Sequence, residues 1–312
     1  MKDLKRLIIL NPAGRNQKAG REFNRLRPEL LSLLGSFELY MTRGPGDARS
    51  KVEEVLREKS FDQIIVAGGD GSLNEALQGY MNKGKSRSQK IPLGVVNLGT
   101  GGDFYRTLVE MNPNYREALR VNSFQPADVG VLRADFPEKE RYFLNAASIG
   151  MGADVLQRVK NSPVSGGAFA YTFHGARSLL RHKPHYCSVA LKRPDGTTIR
   201  FEDKLLNFFV CNGRYNGGGM NWNPGGSITD GVLNLTMITY NGRYDLLWNL
   251  PSIYNGKIKN LSIARFHEAT EIRLMPAHPD RPELDGELPE FPMDRPRELV
   301  FLCLPAALPL VM

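Results

Sequence analysis

Three glycine-bearing elbows hold the residues of this sequence best suited to chemistry. In Val66-Ala67-Gly68-Gly69-Asp70-Gly71-Ser72-Leu73-Asn74-Glu75, three glycines surround one aspartate where an apolar run gives way to a helical pattern. Glycines there let the backbone approach a phosphate chain, and the amides around Ser72 and Leu73 point at it. Asp70 would hold a metal ion or orient a nucleotide. The plainer reading is a tight turn with Ser72 as the helix cap, but a single turn rarely needs three glycines. Asn11-Pro12-Ala13-Gly14-Arg15 and Asn97-Leu98-Gly99-Thr100-Gly101-Gly102-Asp103-Phe104 follow two other apolar runs. Each is an ordinary turn former alone; all three at the carboxyl ends of strands in one sheet would form a nucleotide crevice.

Other patterns carry less. Asp285-Gly286-Glu287 and Asp230-Gly231 read as hairpin turns. Gly79-Tyr80-Met81-Asn82-Lys83-Gly84-Lys85-Ser86 fits the P-loop expression, but a helix precedes it and a strand follows, the reverse of what phosphate cradling requires. Cys187, Cys211 and Cys303 are scattered and form no CxxC pair, which reads as reduced core thiols rather than a disulfide or zinc framework.

The elements that must position these residues change character along the chain. Leu7 to Leu10, Phe37 to Thr42, Gln63 to Ala67 and Ile91 to Val96 are apolar runs ending in turn formers. Helical patterns lie between them around Phe23 to Leu34, with Pro28 opening a fresh turn, then over Asp47 to Glu58 and Leu73 to Met81. This alternation predicts a parallel sheet covered by helices. From about residue 128, Tyr142 to Ala146, Tyr186 to Leu191, Leu205 to Val210, Val232 to Ile238, Ile263 to Phe266, Glu271 to Leu274 and Glu298 to Leu302 read as strands without regular crossover helices. Helices interrupt them only near Ala168 to Arg181 and Tyr244 to Asn255, so this half reads as mostly antiparallel.

Taken together the residues resemble the diacylglycerol kinase and sphingosine kinase superfamily of lipid kinases in its short bacterial form. Six motifs carry the likeness in order: Asn11 to Gly14, Gly68 to Glu75, Pro92 through Phe104, Asn145 through Gly152, Asp230 to Leu233, and Asp285 to Glu287. The resemblance implies an α/β amino-terminal domain like that of phosphofructokinase and NAD kinase over residues 1–127. It implies a mostly antiparallel β-sandwich lipid-substrate domain over 128–296 and a return segment, 297–312, packed on the first. It implies ATP bound between them by Asn11, Pro12, Gly14, Thr42, Gly68, Gly69, Asp70, Gly71, Ser72, Asn74 and Thr100. Asp285 and Glu287 take the catalytic base position, with Asp70 also in the catalytic set. A structural Mg2+ is implied at Ser227, Asp230 and Val232, and Asp103 and Asp128 would join it and the nucleotide Mg2+ through water. The family's usual Asn is Gly102 here, and its usual Ala is Tyr105. The implied reaction is transfer of the ATP γ-phosphate to a lipid alcohol, with diacylglycerol first and a sphingoid base, another glycerolipid or a soluble alcohol as alternatives. A non-catalytic nucleotide-binding relative is the remaining alternative.

The 312-residue composition, 41% hydrophobic and 24% charged, is that of a globular protein rather than a disordered or fibrous one. The formal net charge of +8 favours a polyanionic partner. Arg177, Arg181 and Lys183 lie in a basic, aromatic stretch from Val155 to Pro194 that contains no acid, which suits a peripheral, anionic membrane surface. No aromatic-basic RNA motif is present, so nucleic acid is not expected as a partner. Without a signal-peptide pattern or a spanning apolar run, the expected place is the cytoplasmic side of the inner membrane. A homodimer is compatible with the sequence, which does not itself specify an assembly.

Overall fold

The computed structural model describes residues 4–99, 101–134, 140–161, 168–181, 183–239, 243–289, 291 and 294–312. In the amino-terminal half, four strands lie parallel in the order Glu38–Met41, Arg6–Leu10, Gln63–Gly68, Leu93–Asn97. Arg6–Leu10 and Gln63–Gly68 are buried throughout, as continuous apolar runs demand when helices cover both faces of a parallel sheet. The covering helices include Ala19–Leu34, Asp47–Glu58 and Asp70–Tyr80. Helix Ala19–Leu34 passes straight through Pro28 instead of restarting there. Pro28 sits on the exposed side, where water can satisfy the carbonyl left without its amide donor.

The carboxyl half is a sandwich. Its second sheet is antiparallel in the order Ala264–Ala269, Leu233–Ile238, Asn207–Cys211, Ala146–Gly150, Glu283–Leu284. One face packs Ile149, Phe208, Val210 and Leu235 against Phe143, Leu274 and Phe301 of the first sheet. The other face packs Phe209 and Cys211, with Trp222, against Leu179 of helix Ala168–Arg181 and Ile253 of helix Arg243–Tyr254. The fold class is thus the expected one, parallel α/β followed by a mostly antiparallel β-sandwich.

Several elements differ from the sequence reading. Helices Asp103–Met111, Tyr115–Val121 and Met151–Lys160 are too short to show a long periodic signature. The expected strand Tyr142 to Ala146 is two strands, Glu140–Phe143 and Ala146–Gly150, broken at Leu144 and Asn145. The end of the chain differs most. Instead of stopping before Pro305, it forms a 13-residue strand, Leu299–Val311.

That strand pairs antiparallel with Glu271–Pro276 and with the unanticipated strand Phe124–Ala134. Near its end Leu310 pairs parallel with Leu93, so one ten-stranded sheet runs from the α/β half into the sandwich. Pro309 stays in the ladder opposite Pro126, while the register shifts between Leu304 and Leu308, which absorbs Pro305. There the Ala306 N–H donates to Asp128 Oδ1 at 2.8 Å. Leu308, Leu310 and Val311 are buried in the α/β core. No helix among the described residues is long and apolar enough to cross a membrane.

Replacing Leu310, which is 0% exposed, by Ala should destabilise the protein by about 2–5 kcal/mol. Because its strand is shared by both halves, far-UV circular dichroism and tryptophan fluorescence should report that loss as one shifted urea transition.

Candidate active site

The elbows meet at the carboxyl ends of the parallel strands and face the sandwich across a cleft of about 970 Å³. Asn11, Pro12, Gly14, Thr42, Gly68, Gly69, Asp70, Gly71, Ser72 and Asn74 all line it, together with Asp103, Asp285 and Glu287. Thr100 and the side chain of Arg181 lie outside the described residues. Asp128, Ser227, Asp230 and Val232 lie away from this cleft.

Glycine is required here for close approach. A β-carbon on Gly99 would stand 2.5 Å from the Gly69 Cα, so two elbows touch backbone to backbone. Gly69 is the N-cap of helix Asp70–Tyr80, and no side chain caps that helix. Ser72 is therefore not the cap; its Oγ accepts from Asn11 Nδ2 at 3.3 Å. The first-turn amides are left for an anion in the cleft.

Asp70 turns its carboxylate onto the next helix. Its Oδ2 accepts from Asp103 N–H at 3.1 Å and its Oδ1 from Phe104 N–H at 3.0 Å, closing the start of Asp103–Met111 in the manner of a cap. Gly102 has φ +62° there, a conformation that Asn also tolerates. A β-carbon at that position would lie 2.3 Å from Asn97 Nδ2. The side-chain amide absent at 102 is thus replaced in space by that of Asn97, which receives the Gly99 N–H on Oδ1 at 3.0 Å.

Asp103 Oδ2 accepts from Gly218 N–H at 2.9 Å, while its buried Oδ1 has no hydrogen-bond partner. Burial, then the neighbouring Asp70 charge, pushes the Asp103 carboxyl up to about 7. Two adjacent carboxylates with an unfilled oxygen fit a divalent cation that also binds phosphate oxygens and water. The Asp230 turn has no buried oxygen left without a partner, as Asp103 Oδ1 is. Asp128 accepts from Gly231 N–H, at 2.7 Å, and from Ala306 N–H. Asp230 Oδ1 accepts from Val232 N–H at 3.2 Å, and Ser227 Oγ pairs with Thr229 Oγ1 at 3.0 Å. No group of three or more His, Cys, Asp or Glu among the described residues is arranged to hold a metal.

On the sandwich side, Asp285 and Gly286 form a two-residue hairpin loop, with φ +48° and +81°, as the Asp-Gly pair predicts. The Asp285 carboxylate is buried and holds four donors. Oδ1 accepts from Asn145 and Ala146 N–H at 2.9 and 3.1 Å. Oδ2 accepts from Leu144 N–H and Asn74 Nδ2 at 2.8 and 3.0 Å. Those amides are drawn out of the ladder, which is why the strand expected over Tyr142 to Ala146 breaks. Burial raises the Asp285 carboxyl to about 6 against these bonds.

Glu287 is exposed in the same cleft; a β-carbon on Gly71 would stand 2.7 Å from its Oε1. Glu283 is buried beside the hairpin and accepts from Ser148 Oγ at 2.8 Å, Asn216 Nδ2 at 3.1 Å and the Gly286 N–H. Burial pushes its carboxyl up to about 7.

The sequence reading did not single out Arg15, Arg43, Arg49 and Arg141, which also line the cleft. The first two directly follow predicted contact residues, a signal that was available. Asn216 borders both the cleft and a narrow apolar pocket of about 70 Å³. Met151, Val155, Leu156, Leu179, Leu247 and Leu250 wall that pocket.

Known proteins match this arrangement in both halves. Residues 5–132 match the family of the diacylglycerol kinase catalytic domain. Residues 145–312 match the YegS C-terminal NAD kinase β-sandwich-like domain. A probable lipid kinase YegS-like of Klebsiella pneumoniae (strain 342) is 29% identical over 273 residues, covering 85% of this chain and 86% of that protein. A probable lipid kinase YegS-like of Alcanivorax borkumensis is 28% identical over 280 residues, with 85% and 86% covered. The crystal structure of a diacylglycerol kinase from Bacillus anthracis str. Sterne shares the fold at a TM-score of 0.66 and 20% identity, covering 100% of this chain and 97% of that one.

Asp285→Asn, which sets an amide N–H against backbone donors, should cost about 2–5 kcal/mol in urea unfolding. Glu283 has a different signature. A carboxyl held above its unfolded value of 4.5 adds stability below that value and loses it as pH rises towards about 7. Glu283→Gln cannot ionise, so its melting temperature should gain on the wild type by roughly 2 °C or more between pH 5 and 8.

Proposed function

The chain belongs to the diacylglycerol kinase and sphingosine kinase superfamily of lipid kinases, and on that premise we propose that it transfers the γ-phosphate of ATP to diacylglycerol. The reaction class, phosphoryl transfer to an alcohol, is that of the family. ATP, Mg2+ and diacylglycerol are our assignment. The observation that carries it is the meeting of an open helix N-terminus, a pair of adjacent carboxylates and an exposed carboxylate in one cleft.

Phosphoryl transfer asks a protein mainly for positioning and charge neutralisation. The amides of the Gly69–Ser72 elbow would hold triphosphate oxygens, with Arg15, Arg43, Arg49 and Arg141 balancing their charge from the walls. Asp70 and Asp103 would hold Mg2+, which would supply positive charge against the charge that develops on the phosphate. Glu287 accepts the proton of the lipid hydroxyl as its oxygen attacks the γ-phosphorus and ADP leaves. Asp285 has no spare lone pair for that proton, because its four acceptor positions are filled. It acts as a positioning residue that fixes the hairpin on which Glu287 stands.

The apolar pocket behind Asn216 suits the acyl chains, and acceptors of that kind reside in bilayers. A peripheral position at the cytoplasmic face of the inner membrane follows from this reading, with exposed Arg177 and Lys183 towards anionic lipid.

The deciding measurement is transfer of labelled γ-phosphate to a panel of lipid alcohols in mixed micelles with Mg2+. Diacylglycerol should be labelled, and Glu287→Gln should lower kcat by about 10²-fold or more with its unfolding midpoint unchanged. Label on a sphingoid base or a soluble alcohol instead would replace our acceptor. ATP binding without any labelled product would make the chain a non-catalytic relative.

A further inference from the structure

We propose that the outer face of the two helices that wall the apolar pocket, Ala168–Arg181 and Arg243–Tyr254, is a bilayer-docking surface in which Trp248 enters the lipid. This deepens the lipid-kinase reading and rests on it for the presence of a lipid acceptor; the docking itself needs no nucleotide.

Helix Arg243–Tyr254 has only two charged residues, Arg243 and Asp245, both in its first turn. Leu247 and Leu250 line the pocket, and Ile253 is wholly buried. Trp248, between them in sequence, is 83% exposed, the most exposed large apolar side chain among the described residues. Beyond Asp245 the outer side of the helix exposes Trp248 and Pro251, and so large an exposed apolar side chain on a helix with few charges is normally covered by protein or by lipid. Lone exposed apolar residues are commonplace, but tryptophan is the side chain most at home where hydrocarbon meets headgroups.

The neighbouring helix repeats the arrangement. Ala176 and Leu179 face the pocket, while Phe173 is 50% exposed. Arg177, also exposed, lies one turn further on the same side. Thr172 Oγ1 and Tyr254 Oη, 3.1 Å apart, join the two helices. Each therefore shows an aromatic outward and seals the pocket inward.

Charge selects a bilayer over a protein partner or a second copy of the chain. Arg177, Lys183, Lys257 and Lys259 are exposed on or just beyond these helices, against Asp245 as the exposed acid, and the whole chain is at +8. Basic residues beside an apolar insert suit anionic headgroups over acyl chains. A lipid leaving the bilayer at this face would have only the helix pair between it and the pocket.

The chain has two tryptophans. Trp222 is buried and stacked on Phe209, with ring centroids 3.9 Å apart, so vesicle-dependent emission reports Trp248. Vesicles of phosphatidylcholine and phosphatidylglycerol with brominated acyl chains should quench and blue-shift the emission without nucleotide. Trp248→Ala should lose the quenching and weaken vesicle co-sedimentation by about tenfold, and Trp248→Phe should restore most of the binding. Emission unaltered by the vesicles, or co-sedimentation of Trp248→Ala equal to wild type, would overturn the proposal. Phosphate transfer to a short-chain, water-soluble acceptor separates the two readings. Transfer with unaltered emission means that the kinase reading stands and the docking face is wrong. Quenching without any labelled acceptor means that docking stands and the acceptor assignment falls.

Discussion

The Asp285 carboxylate holds the two halves of the molecule in register. Four donors from two separate stretches of chain converge on it: the amides of Leu144, Asn145 and Ala146, and the side chain of Asn74. A buried carboxylate is unfavourable unless donors compensate it, so these segments are held where they are. Asn74 belongs to the helix that opens at the glycine elbow, and Gln78, one turn on, exchanges hydrogen bonds with the Tyr142 backbone. The glycine-elbow side and the sandwich side of the cleft are thus joined through one hairpin. Glu287 is the residue that hairpin presents to the cleft.

A second aspartate does comparable work at the far end. Asp128 binds the amides of Gly231 and Ala306, tying the Asp-Gly turn of the sandwich to the bulge of the closing strand. That bulge carries the strand past Pro305 and on from the sandwich into the α/β core. The two clamps share one chemistry, carboxylate to amide N–H, which is strong in a low dielectric and directional. The pair Asp70 and Asp103 is different. One caps a helix and the other keeps an oxygen unfilled, an arrangement that leaves negative charge to be met from the cleft.

The β-sandwich provides the apolar half of the site. Its five-stranded sheet is covered by the other sheet on one face and by two helices on the other. Between that sheet and the helices lies the narrow pocket, which Asn216 shares with the cleft. A polar cleft and an apolar pocket are thereby placed back to back, an arrangement that suits an enzyme of a lipid kinase family.

The local chemistry was legible in the sequence. Glycine elbows at strand ends, Asp-Gly hairpins and alternating apolar runs are set by short-range sterics and periodicity, and six ordered motifs were enough to indicate the superfamily. They also showed that the P-loop pattern was spurious, since its flanking elements are in the wrong order. What the sequence could not state is which distant groups share a carboxylate. Asp285 read as a turn residue, and the break at Leu144 and Asn145 was hidden because an apolar run looks the same whether its amides pair in a ladder or turn to a side chain. The long last strand read as short because proline forbids local pairing, whereas a bulge held by Asp128 carries the chain past it. Gly102 lacks the side-chain amide of the family pattern, and only the folded structure shows that the Asn97 amide lies where that side chain would start. Short-range rules set most of the elements; the choice of partners for buried polar groups depends on contacts such as that of Asn74 with Asp285, 211 residues apart, and only the tertiary structure decides those.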